Sequence, residues 1–147
     1  MATISSGTDL ATRLRLGITR TARRLRQEAG TDLSPTLSAA LATIARHGPL
    51  TPSELAARER VQRPTATRLL ARLEAPGLVL RTADPHDGRS SLVSVSPAGA
   101  ALLAEVRTRK DAYLARRLRA LSAADRATLR RASEILEGML DEGGAAR

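Results

Sequence analysis

The chain has 147 residues, a net charge of +9 and a pI near 11.6, values that fit one compact domain attracted to polyanions such as nucleic acids. Because it has no cysteine, disulfides, thiolate metal sites and cysteine nucleophiles are excluded, and because Tyr113 is its only aromatic residue, any core must be aliphatic. The positive charge is spread evenly along the chain and is almost all arginine, so charge alone leaves nucleic-acid binding undecided.

Two amphipathic helices are predicted in the first third of the chain. Between about residues 9 and 27, apolar residues recur at helical spacing: Leu10, Leu14, Ile18, Ala22 and Leu25. Ser34 is a good N-cap with Pro35 in the first helical position, and the second helix then runs over about 35–46. It ends at His47-Gly48-Pro49, a typical helix stop. We expect residues 1–8 to be flexible and residues 9–47 to form helices for dimerisation and support.

Two short helices with a tight connection are predicted next. Thr51 and Glu54 form the pattern of a capping box, which opens a helix that ends near Arg58. After the connection Arg60-Val61-Gln62, another helix spans about 63–74. Its apolar stripe is Ala66, Leu69, Leu70 and Leu73, and its other face carries Thr65, Arg68 and Arg72. This arrangement is typical of a helix-turn-helix that enters the major groove, with an ordinary helical hairpin and a solvated charged face as the alternative.

A β-hairpin is predicted directly after these helices. Residues 78–82 and 92–96 have the pattern of two strands, and residues 83–91 between them are polar and rich in turn formers. A helix-turn-helix followed by such a hairpin is a winged helix, and Arg89 lies at the tip of the wing. A narrow minor groove attracts a guanidinium group. Asp87 either orients Arg89 or caps the turn through backbone N–H groups.

The last third is predicted to form two helices with apolar stripes. Ser96-Pro97 opens a long helix of about 24 residues, and Ser122 with Asp125 opens the last one. Together with the first helix, these stripes exceed what a wing domain of about 60 residues can bury. We therefore expect residues 97–142 to be dimerisation helices of a homodimer, residues 48–96 to be the DNA-binding region and residues 143–147 to be a flexible tail.

The chain resembles the MarR family of bacterial winged helix-turn-helix transcription regulators over nearly its whole length. The resemblance is carried by Leu55-Ala56, by residues 63–74 with Gly77-Leu78-Val79, by residues 84–89 and by residues 96–99. It implies base contacts from Pro64, Thr65, Thr67 and Arg68, insertion of Arg89 into the minor groove, and a dimer interface formed by both chain ends. The sequence departs from the family at the connection, where Arg60 and Gln62 replace a glycine and a small capping residue. It departs again at the wing tip, where Gly88 replaces a basic residue.

The predicted assignment is a mainly helical winged helix-turn-helix protein with a small β-hairpin wing and a helical dimerisation region. It is a sequence-specific DNA-binding regulator, with repression of a pseudo-palindromic operator as the expected activity. Non-specific architectural DNA binding by a dimer is the alternative. The predicted DNA-binding residues are Arg63, Pro64, Thr65, Thr67, Arg68, Arg72, Asp87 and Arg89.

Catalysis, metal binding and cofactors are not expected. His47 and His86 have no second ligand at metal-binding spacing, and no nucleotide-binding or nucleophile motif is present. Without a secretory signal or an apolar run of membrane-spanning length, the chain is expected to be cytoplasmic. The resemblance implies a pocket between the dimer helices and the winged domain for small aromatic acids or drug-like molecules. Arg20, Arg23 and Arg46 are available to an anionic ligand. The identity of an effector is left open.

Overall fold

The computed structural model describes residues 3–142, which form six helices and one two-stranded sheet. In chain order the elements are α1 (Thr3–Ala29), α2 (Pro35–His47), α3 (Pro52–Glu59), α4 (Arg63–Glu74), β1 (Val79–Ala83), β2 (Ser91–Val95), α5 (Pro97–Arg119) and α6 (Ala123–Glu142). The chain divides into two compact units at residue 110. Residues 1 and 2 of the predicted flexible N-terminus and all of the predicted tail, 143–147, lie outside the described residues.

The first helix begins earlier than predicted. The apolar repeat predicts a start at about residue 9, whereas α1 begins at Thr3. The added part includes Ser5, Ser6 and Gly7, which are weak helix formers. Extending a helix that has already nucleated adds a hydrogen bond for each residue fixed, so weak formers are tolerated at its end. Residues 3–8 therefore belong to α1 in the structure, and their flexibility stays a prediction.

The core lies in the first unit, where α2, α3, α4 and the sheet meet. The largest fully buried side chains of the described residues are aliphatic: Leu41, Ile44, Leu55, Leu70, Leu73 and Val93. The predicted stripe of α4 is confirmed, since Ala66, Leu69, Leu70 and Leu73 are all buried. Leu102 and Leu103 of α5 pack against this core and remain partly exposed. The helix-turn-helix is therefore held by its own apolar interior, which presents the opposite face of α4 to solvent.

The hairpin is antiparallel, with Val79 paired to Val95 and Ala83 paired to Ser91. Both strands lie within one residue of their predicted bounds. The hairpin has a further contact that was not predicted. Leu50, just before α3, forms a β-bridge with Val93, with N–H···O distances of 3.0 and 2.8 Å in the two directions. A single bridging residue has no alternating pattern, so periodicity cannot reveal it. This bridge fastens the base of the wing to the start of the helix-turn-helix.

The second unit contains the end of α5 and the whole of α6. The Ser122 hydroxyl accepts a hydrogen bond from the Asp125 N–H at 3.0 Å, which confirms the predicted start of the last helix. Arg117 lies over the ring of Tyr113, 5.7 Å from its centroid. Across residues 3–142, no helix is both long and apolar enough to span a membrane.

Candidate nucleic-acid interface

The capping box predicted for α3 is confirmed. The Thr51 hydroxyl accepts a hydrogen bond from the Glu54 N–H at 3.2 Å, and the Glu54 carboxylate accepts one from the Thr51 N–H at 2.7 Å. Two backbone donors that a helix start would otherwise leave unpaired are thus satisfied. The box fixes where α3 starts, and α3 supports the recognition helix that follows.

The connection between α3 and α4 forms without the expected glycine. Arg60 takes the left-handed conformation, with φ 54° and ψ 44°. Its N–H donates to the Ala57 carbonyl at 3.3 Å, and the Val61 N–H donates to the Ala56 carbonyl at 3.0 Å. These two bonds are those of a Schellman motif, which normally places glycine at the left-handed residue. The tight turn is therefore built, but an arginine occupies its strained position.

The start of α4 lacks a side-chain cap. Gln62 occupies the N-cap position with extended backbone, and its side chain makes no capping hydrogen bond. Its carbonyl accepts from the Thr65 and Ala66 N–H groups at 2.9 and 3.1 Å. Pro64 lies in the first turn, where the absence of an N–H group is harmless. The departure seen in the sequence thus costs the helix its cap and leaves its position unchanged.

The exposed face of α4 carries most of the predicted DNA-binding residues. Arg63, Pro64, Thr67, Arg68 and Arg72 are exposed, and Thr65 is half-buried. The Thr67 hydroxyl donates to the Arg63 carbonyl at 3.0 Å, so its lone pairs remain available to a donor. Within residues 3–142, the three arginine side chains form no ion pair or hydrogen bond. A helix of 12 residues is about 18 Å long, and its diameter matches a major groove about 12 Å wide.

The C-terminal end of α4 is tied to the wing and to α5. Gly77 has φ 73°, and the Leu78 N–H donates to the Leu73 carbonyl at 3.0 Å, which completes a second Schellman motif. The Ser96 hydroxyl donates to the Gly77 carbonyl at 2.5 Å and accepts from the Gly99 N–H at 3.0 Å. One serine thus caps α5 and holds the end of the recognition helix, which explains why Ser96 and Gly77 occur together in the sequence pattern.

A polar link joins α4 to the middle of the wing. The Arg81 guanidinium lies 2.5 Å from the Glu74 carboxylate and donates to the Ser91 hydroxyl at 3.0 Å. Sequence reasoning missed this link, because Arg81 looks like any other strand arginine until the register of the hairpin is known. Arg81 is therefore engaged within the chain, in contrast to Arg89.

The wing tip is ordered by two aspartates. The Asp84 carboxylate accepts from the His86 N–H at 2.9 Å, and the Asp87 carboxylate accepts from the Arg89 N–H at 3.0 Å. Of the two roles considered for Asp87, the structure has it cap the turn. No ion pair joins Asp87 to the Arg89 guanidinium in the described chain, and the Arg89 side chain is exposed. The tip therefore presents one free guanidinium group on a hydrogen-bonded loop.

The described residues form no cluster of three or more His, Cys, Asp or Glu side chains that could hold a metal ion. His47 and His86 are both exposed, as the sequence indicated. The exposed side chains of α4 and the wing include guanidinium and hydroxyl groups, which suit phosphate oxygens and base edges.

Two adjoining cavities lie among α1, α2 and the first unit's part of α5. One has a volume of about 730 Å³ and is lined in part by Arg23, Arg26 and Lys110. The other, of about 470 Å³, is lined in part by Arg46 and Arg107 and shares Lys110 with the first. Within residues 3–142, no carboxylate lines either cavity. Of the arginines proposed for an anionic ligand, Arg23 and Arg46 line the cavities and Arg20 does not.

Comparisons with known proteins agree with this geometry. A family model described as the MarR family matches residues 33–91. An uncharacterised HTH-type transcriptional regulator from Mycobacterium bovis is 39% identical over 140 residues, covering 95% of this chain and 98% of that protein. A crystal structure of a transcriptional regulator protein from Pseudomonas aeruginosa is 36% identical, with a TM-score of 0.84, and covers 92% of this chain and 96% of that one.

Two more distant structures share the fold. A MarR family protein from Bacillus stearothermophilus has a TM-score of 0.80 at 23% identity, covering 96% of this chain and 99% of that one. A MepR mutant from Staphylococcus aureus, solved bound to an oligodeoxyribonucleotide, has a TM-score of 0.71 at 19% identity, covering 88% and 97%. At these identities the likeness extends to the fold alone.

Proposed function

The chain belongs to the MarR family of HTH-type transcriptional regulators, which are not enzymes, and from that premise we propose that it represses transcription by binding a pseudo-palindromic operator as a homodimer. Residues 48–96 read the DNA, and residues 9–47 and 97–142 support the reading region and form the dimer. As a bacterial transcription regulator, it would act in the cytoplasm, where the chromosome lies.

The observation that carries this proposal is the pairing of two exposed basic elements within one unit. The face of α4 opposite the core offers Arg63, Arg68 and Arg72 without internal partners, and the wing offers Arg89. A helix of this size enters the major groove, and a wing arginine fits the neighbouring minor groove. The MepR mutant solved with an oligodeoxyribonucleotide shares the fold, which supports DNA binding by this chain.

Dimerisation is supported by apolar side chains that the single chain leaves in solvent. On α1, Leu10 is 58% and Ile18 is 50% exposed, and on α6, Met139 is 63% and Leu140 is 78% exposed. Leaving such rows of leucine and methionine in water is unfavourable, and a second copy of the same chain offers the same rows to cover them. The homodimer then presents two recognition helices, which suits half-sites about 34–36 Å apart.

Control by an effector is the remaining part of the proposal. Residues of α1, α2 and α5 line the larger cavity, and residues of α2 and α5 line the smaller one. Among the described residues, the charged side chains that line them are all cations. We propose that a small anionic ligand binds there and changes the spacing of the two recognition helices. Since DNA affinity depends on that spacing, such a ligand would release the operator.

Non-specific architectural binding is the second candidate, favoured by the even distribution of positive charge along the chain. The two candidates differ in the ratio of operator affinity to bulk-DNA affinity. An operator is first selected from genomic fragments with the purified protein, and a random duplex of equal length serves as bulk DNA.

The test compares Arg68→Ala, Arg89→Ala and the double variant on both duplexes at one salt concentration. Loss of a bidentate contact from Arg68 to guanine costs about 1–3 kcal/mol on the operator and relaxes the preference at one base position in each half-site. Arg89→Ala should weaken operators with flanking A·T tracts most. The two effects should add, because the residues contact different grooves.

Arg130→Ala is the matched control, because it removes an exposed arginine from α6, outside the unit that contains the helix-turn-helix. If both single variants lower operator and random-DNA binding by the same factor, the arginines supply charge only and the architectural function is correct. If the wild type shows no salt-dependent binding to either duplex, the proposed DNA-binding function is wrong.

A further inference from the structure

Two helix ends in this chain use the same hydrogen-bonded motif with different residues. Gly77 ends α4 in the left-handed conformation, as expected for a Schellman motif, and Gly30 follows α1 with φ 59°. Arg60 ends α3 in the same way, and within residues 3–142 it is the one residue other than glycine that has a positive φ. The chain therefore uses glycine at two helix ends and arginine at the turn that leads into the recognition helix.

Arginine at this position is conformationally unfavourable. Its Cβ approaches the following carbonyl oxygen in the left-handed region, a contact that glycine avoids. No side-chain contact offsets this conformational cost, because the Arg60 guanidinium is exposed and makes no ion pair or hydrogen bond with any described residue. Among the described residues, Arg60 forms no ion pair with the adjacent Glu59, whose carboxylate accepts a hydrogen bond from the Thr43 hydroxyl on α2.

The surroundings of Arg60 are basic. Arg58 in the last turn of α3 and Arg63 at the start of α4 are also exposed, and neither has a partner among the described side chains. When no contact within the protein offsets the strain of a residue, that residue is a candidate for ligand binding. Next to a helix that enters the major groove, the ligand that suits a free guanidinium is a phosphate of the flanking DNA backbone.

We propose that Arg60 is a DNA phosphate contact, held in a left-handed turn at the expense of folding stability. The inference rests on the proposed DNA-binding function and adds to it a residue at a position where the family pattern has glycine. Arg60 would position the recognition helix on the backbone and would carry no base preference, since phosphate contacts fix register and orientation.

The experiment compares the full-length wild type with Arg60→Gly and Arg60→Lys by thermal unfolding and by DNA titration over a range of salt concentrations. The probes are the operator duplex selected with the wild type and a random duplex of the same length. Arg60→Gly should raise the unfolding midpoint by a few degrees, because it relieves the left-handed strain. It should also lower affinity for both duplexes by a similar factor. A plot of the logarithm of the DNA association constant against the logarithm of salt concentration has a negative slope. Its magnitude should decrease by about 0.9 for each Arg60 removed, or about 1.8 for a dimer.

Arg60→Lys keeps both the charge and the Cβ, so its salt slope should stay at the wild-type value and its midpoint should not rise. Arg130→Ala removes the same charge from α6 and should leave the slope unchanged. The proposal is overturned if Arg60→Gly keeps the wild-type slope, if it changes the slope only as much as Arg130→Ala does, or if it fails to raise the midpoint. Failure of the wild type to bind either duplex would instead refute the proposed function, which separates the two conclusions.

Discussion

Replacing Gly99 with alanine should destabilise the junction between the wing and α5. Gly99 is buried in the first turn of α5, and a Cβ built there would lie 2.1 Å from the Leu78 carbonyl oxygen and 2.9 Å from a Val95 methyl group. The first neighbour is backbone and cannot rotate away. The same oxygen accepts a hydrogen bond from the Ser96 N–H at 3.0 Å. Moving α5 away from Leu78 to make room for a Cβ therefore also lengthens this bond.

The size of the effect follows from three terms. Overpacking of this kind costs about 1–3 kcal/mol. Lengthening the bond from Ser96 to Leu78 loses about 1 kcal/mol. The better helix propensity of alanine returns at most about 1 kcal/mol. The net loss is about 2 kcal/mol out of a total stability of about 5–15 kcal/mol. For a chain of this size, that lowers the unfolding midpoint by roughly 4–8 °C.

The assay is thermal unfolding at a fixed protein concentration, because the proposed dimer would make the midpoint depend on concentration. Gly88→Ala is the matched control, since a Cβ at Gly88 meets nothing within 4 Å and its φ is not in the left-handed region. That variant should have the wild-type stability or be more stable by up to about 1 kcal/mol, because alanine lowers the conformational entropy of the unfolded chain. Equal midpoints for the two alanine variants would show that the close approach of α5 to Leu78 does not matter.

Two further predictions concern the uncapped helix and the dimer. Gln62→Ser should supply the missing N-cap of α4 and stabilise the protein by about 1 kcal/mol in denaturant titrations, whereas an unchanged midpoint would mean that water already satisfies those N–H groups. Ile135→Glu places a charge on an α6 side chain that is 49% exposed in the single chain, so it should leave the monomer folded and shift sedimentation from dimer to monomer. A dimer that persists in this variant at micromolar concentration would place the interface elsewhere.

Periodicity and capping residues predicted the elements of this fold well. The stripe on α4 and the capping box at Thr51 depend on neighbours three or four residues apart, and such local patterns are visible in a sequence. The early start of α1 and the bridge between Leu50 and Val93 were not predicted. The first depends on helix propagation and the second on a contact between residues far apart in the chain, and neither leaves a local signature.

The candidate site shows the same division. The outward face of α4 follows from its buried stripe, so Arg68 and Arg72 could be placed from the sequence. Arg81 and Arg89 could not be told apart in this way. Both are wing arginines, yet Arg81 is engaged by Glu74 and Ser91 while Arg89 is free at the tip. Their difference depends on the register of the hairpin, which pairs Arg81 with Val93 and brings Ser91 within reach.

The hydrogen bonds around Ser96 separate two parts of the proposed function: base recognition by one chain, and the half-site spacing set by the homodimer. Ser96 contacts Gly77 at the end of α4 and Gly99 at the start of α5, and its own N–H binds Leu78 beside the first wing strand. The distance between the recognition helix and the wing is therefore fixed within one chain. In the proposed homodimer, the second copy would set the distance between the two recognition helices. It follows that substitutions on the exposed apolar face of α6 should change the preferred half-site spacing, whereas base preference within a half-site should depend on α4 and the wing alone.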